Sequence, residues 1–66
     1  MQSICIQYGG VTTIKSYSSW AKAVQAVEEH LKSYYPNLKG WEVEVIMLQL
    51  EEHSCILYKN FYADLS

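Results

Sequence analysis

The sequence predicts an α+β domain of order β-β-α-β-β, with one helix packed on a four-stranded, mostly antiparallel sheet. Three observations carry that prediction. Gly9-Gly10 separates two runs rich in Ile, Val, Thr and Tyr; an alanine-rich amphipathic stretch follows Ser18-Ser19; and two apolar runs, residues 41–50 and 55–62, flank the polar stretch "EEHS".

"SICIQYGGVTTIKSY" reads as a hairpin, because adjacent glycines adopt the positive φ angles of a two-residue turn without steric cost. Such a loop pairs Tyr8 with Val11, Ile6 with Thr13 and Ile4 with Lys15 on one face, and sets Cys5 opposite Ile14 on the other. A helix is then expected over residues 19–34, capped by a serine oxygen. Its apolar stripe runs Trp20, Val24, Val27, Leu31, Tyr34, and Glu28 and Lys32 form an i,i+4 ion pair. Pro36 disfavours helical geometry at Tyr35, so "PNLKG" ends the helix.

"WEVEVIMLQL" opens as an apolar-acidic alternation and turns almost wholly apolar from Val45. Read as a strand covered on both faces, it forms a hairpin with Cys55–Tyr62, turning at residues 51–54. Trp41, Val43, Val45, Met47, Ile56, Tyr58 and Tyr62 then share one face; Glu42, Glu44, Ile46, Leu48, Leu50, Cys55, Leu57, Lys59 and Phe61 share the other. One helix covers one sheet face, so the more charged side is left outward: Cys5, Ile14, Ile46, Leu48, Leu50, Cys55, Leu57 and Phe61, bordered by Glu42, Glu44, Gln7, Thr12 and Lys59. In element order the layout resembles the β-grasp architecture of ubiquitin-like and bacterial immunoglobulin-binding domains, which implies parallel first and last strands at the sheet centre. A sequential strand order fits the same pattern. "FYADLS" lacks a Gly-Gly conjugation tail, and the resemblance carries no functional residue with it.

The composition narrows the function. A 66-residue chain forms one domain and buries only about 60% of its unfolded surface, so disulfides, a metal or association commonly supplement such a core. Half the residues are hydrophobic and 18% charged, as in a folded globular protein. "MQSICIQYGG" does not read as a signal peptide, and no apolar run approaches membrane-spanning length; a cytoplasmic protein with reduced Cys5 and Cys55 is expected. The basic residues are five scattered lysines and the net charge is −2, which argues against a phosphate-backbone binder.

Cys5, Cys55, His30 and His53 lack the paired spacing of a structural zinc site, so neither metal nor cofactor is expected. Cys55 has only Glu52 and His53 nearby as acid-base neighbours, and no nucleophile, phosphate loop or carboxylate constellation marks an enzyme.

What remains is a polar-rimmed apolar surface, the usual mark of an interface. The expected function is a small protein-protein interaction module. Ile46, Leu48, Leu50, Leu57 and Phe61 would bury against a second copy, as a homodimer, or against another protein, and Glu42 and Glu44 would steer toward a basic surface. Compactness and acidity suit an inhibitor of the phage or mobile-element kind, anti-CRISPR-like proteins included. The alternative is a single-stranded nucleic-acid binder that stacks bases on sheet aromatics.

Overall fold

The computed structural model describes residues 1–66. The fold is α+β: two helices lie on one face of a four-stranded antiparallel sheet. In chain order the elements are β1 (Gln2–Tyr8), β2 (Val11–Tyr17), α1 (Trp20–Tyr34), α2 (Gly40–His53), β3 (Cys55–Tyr58) and β4 (Phe61–Leu65), and the strand order is β2-β1-β4-β3.

The first hairpin has the register that its glycines dictate. Gly9 and Gly10 take φ of 59° and 83°, Tyr8 pairs with Val11, and Cys5 faces Ile14. Helix α1 starts where Ser19 Oγ accepts from the Lys22 amide at 3.2 Å, and Glu28 and Lys32 pair at 3.0 Å. Its buried face is Ala23, Ala26, Val27 and Leu31. The stripe is thus rotated from the expected one: small alanines let the helix sit close to the sheet, and Trp20 is left largely exposed.

Residues 41–50 correct the sequence reading, which makes them a strand. They belong to α2, the second helix. Its buried residues, Val43, Ile46, Met47 and Leu50, follow i, i+3, i+4, i+7 spacing, which is a helical face. The Lys39 amide donates to Glu42 Oε1 at 3.1 Å, tying the carboxylate across the first turn. At the other end Ser54 adopts the left-handed conformation (φ 61°), and its amide donates to the Leu50 carbonyl at 2.9 Å. One residue therefore separates α2 from β3, and the helix lies back over that strand.

The second hairpin comes from the stretch expected to be a single strand. Lys59-Asn60 turns the chain, with Lys59 at φ 53° and Tyr58 opposite Phe61. The turn sets Phe61 on the same face as Tyr58. An unbroken strand from Cys55 to Tyr62 would have placed it with Leu57 instead. Phe61 is therefore fully buried, and its assignment to the outer face is overturned together with those of Ile46 and Leu50.

Strand β1 pairs with β4 at the sheet centre, as in a β-grasp, but the pair is antiparallel, which excludes the parallel arrangement implied by that resemblance. The core lies between sheet and helices: Ile4, Ile6, Ile56, Phe61 and Ala63 below, and the buried faces of α1 and α2 above. At one end an aromatic cluster closes it. Tyr8 stacks on Tyr34 with centroids 4.0 Å apart and planes 8° from parallel, and Tyr35 stands edge-on to both Tyr8 and Tyr58. No helix is long and apolar enough to cross a membrane.

Candidate functional site

Both helices lie on the same side, so the other sheet face is open. Strand pairing fixes what it carries. One row reads Ile14, Cys5, Asp64, Cys55 across β2, β1, β4 and β3; the next reads Thr12, Gln7, Tyr62, Leu57. Of the expected outer residues, Cys5, Ile14, Cys55, Leu57, Gln7 and Thr12 lie here. Ile14 and Leu57 are 71% and 69% exposed, but they stand on opposite edge strands with polar residues between them. The face is therefore less apolar than the sequence suggests.

Chemistry on this face is limited by spacing. Cys5 and Cys55 flank Asp64 two strands apart, about 10 Å between Cα atoms, which is too far for a disulfide. No three His, Cys, Asp or Glu side chains anywhere in the molecule form a cluster that could hold a metal ion. Tyr62 is the one aromatic of these rows. A hydrogen bond to the Asp64 carboxylate, and then the charge of that carboxylate, hold its pKa above the ordinary 10.0. A raised value favours the protonated phenol in the folded state, so any resulting stability is present below pH 10.0 and is lost as pH rises through the folded-state value. Asp64→Asn is expected to return Tyr62 toward ordinary titration, read by ultraviolet difference absorbance; an unmoved midpoint would show that the carboxylate is not the cause.

The aromatics that could stack bases are mostly elsewhere. Tyr8, Tyr58 and Phe61 point to the helix side, where they pack with Tyr34 and Tyr35. The open face presents no lysine within its two rows. Lys59 extends its ammonium over Tyr58 and Tyr35, 5.3 and 5.8 Å from the ring centroids. These rings border a cleft of about 310 Å³ that Leu38, Glu42 and Lys59 also line. The cleft carries one charge of each sign, Glu42 and Lys59.

The strongest surface feature is the outer side of α2. Trp41, Val45 and Leu48 recur at i, i+4, i+7 and are 64%, 57% and 49% exposed. Exposed Glu44, Glu51 and Glu52 stand around them. Helix α2 is thus apolar toward the core and apolar toward water, and this double stripe accounts for "WEVEVIMLQL" losing its alternation. Among the expected site residues, Leu48 and Glu44 meet on this surface and Leu57 lies on the open sheet face. Ile46, Leu50 and Phe61 are core, and Glu42 doubles as the tie at the helix start. Trp41 and Val45 were missed because a strand reading turns them inward; their helical spacing with Leu48 is the signal that identifies them.

Comparison adds no relative to this geometry: no family model matches the chain, and no curated protein or solved structure resembles it significantly.

Proposed function

We propose that the protein acts by binding another protein through the outer face of α2. The observation that carries this reading is the exposed ridge of Trp41, Val45 and Leu48 among carboxylates. An isolated surface leucine needs no explanation, whereas a tryptophan-led apolar stripe on a helix that already buries its other side fits an interface anchor. Glu44, Glu51 and Glu52 favour a partner whose apolar surface is edged with lysine or arginine. They also disfavour stacking two copies through this stripe, since like charges would face each other at its margins. Occupying such a basic surface on a larger machine is how a module of this size would inhibit it.

The test is affinity purification from the native host with mass spectrometry, comparing the parent with Leu48→Asp and Trp41→Ala. Loss of Trp41 is expected to weaken the specific partner by about 2 kcal/mol, roughly thirtyfold, and Leu48→Asp to abolish its recovery, with thermal unfolding close to the parent's. A partner retained at full strength by both variants refutes the reading.

A further inference from the structure

The free edge of β3 is a second unoccupied surface, and we propose that it is a strand-addition site. An extended segment of the partner pairs with Cys55–Tyr58 and sets an apolar and a basic side chain into the groove beside α2. This rests on the protein-binding reading and specifies the form that the partner takes.

Backbone direction supplies the first argument. The Leu65 amide donates to the Ser54 carbonyl at 2.9 Å, so that carbonyl and the backbone groups of Ile56 and Tyr58 turn toward β4. The N–H and C=O groups of Cys55 and Leu57 consequently point out of the sheet, where no strand follows. The two edges differ in protection. On β2, Lys15 lies on the helix-facing side of the strand, since it pairs with buried Ile4; an inward-directed charge of this kind blunts an edge against further pairing. The four residues of β3, "CILY", carry no such guard.

The second argument is the groove above that edge. Trp41, Val45 and Gln49, spaced a turn apart along α2, line it with Ile46 and with Tyr58 of β3 as an open groove of about 250 Å³. Side chains alternate along a strand, so a strand added to β3 directs every second residue into this groove and the others beside exposed Leu57 on the open face. The one charged side chain lining the groove is Glu42. A lysine or arginine on the incoming strand complements it, whereas the β3 strand of a second copy brings no charge.

The probe is a random-peptide library displayed on phage and selected against the full chain. Enriched sequences are expected to alternate apolar residues and to include a lysine or arginine, a preference that Glu42→Gln relaxes. In synthetic versions, N-methylation of alternate amides should weaken binding about tenfold in one register and leave the other unchanged, because only one set of amides meets β3. Leu57→Pro removes an amide that the β4 ladder does not use, and it should weaken binding by a similar factor. Should proline disturb the strand itself, the methylated peptides read the same bonds on the unaltered protein. Failure to enrich any peptide overturns the proposal, as does binding indifferent to methylation in both registers. So does a peptide-free dimer that Leu57→Pro dissociates, which would give the edge to a second copy. A native partner lost by Leu48→Asp but kept by Leu57→Pro removes the added strand and leaves the α2 interface standing.

Discussion

Phe61→Ala is expected to leave little or no folded protein at room temperature. Phe61 is the largest fully buried side chain and packs at 5.9 Å between centroids against Tyr34, joining β4 to the end of α1. Truncating a buried phenylalanine costs about 3–5 kcal/mol, the lost transfer energy plus the cavity left behind. A chain of this length has only about 3–10 kcal/mol in total. The Lys59-Asn60 turn that places Phe61 inward has no glycine to absorb a rearrangement, and Lys59 is already held at positive φ. Leu57→Ala, two residues before that turn but on the open face, should change stability by less than about 0.5 kcal/mol. Denaturant unfolding followed by circular dichroism separates the two. A Phe61→Ala midpoint near the parent's would mean that the side chain is not in the core.

The contrast between Phe61 and Leu57 shows where the sequence was legible. Gly9-Gly10 takes the positive φ angles of a two-residue turn at no steric cost, so the first hairpin and its register follow from the residues alone, and Ser19 marks the start of α1 equally well. Lys59-Asn60 carries no such signature: a lysine in the left-handed region is held by its surroundings, and sequence without tertiary context places no turn there. Residues 41–50 failed for a different reason. In "WEVEV" the period is two, the apolar residues are aromatic or β-branched, and a strand is the locally sound reading. The helical quartet Val43, Ile46, Met47, Leu50 was also present, but with Val45 and Leu48 apolar as well, both periodicities fit. Packing over β3 decides between them. The same ambiguity hid the site, since the residues that confuse the period are the ones α2 presents to water.

That ambiguity makes Leu48 and Leu50 the sharpest pair for an experiment. Two residues apart, they share a face if the segment is a strand, and equal substitutions should then cost the same. On a helix they are about 200° apart. Leu50 is 1% exposed beneath α2, whereas Leu48 is half in water. Leu50→Asp buries a carboxylate with no partner nearby, since no polar or charged side chain lies in the core. The expected loss exceeds about 4 kcal/mol and should unfold the chain outright. Leu48→Asp adds a fourth carboxylate beside Glu44, Glu51 and Glu52, a repulsion of a few tenths of a kcal/mol in solvent. It should therefore melt cooperatively within a few degrees of the parent. Equal destabilisation by the two variants would return residues 41–50 to a strand and remove the α2 surface with it. A folded Leu48→Asp protein beside an unfolded Leu50→Asp one places the exposed leucine where a partner can reach it.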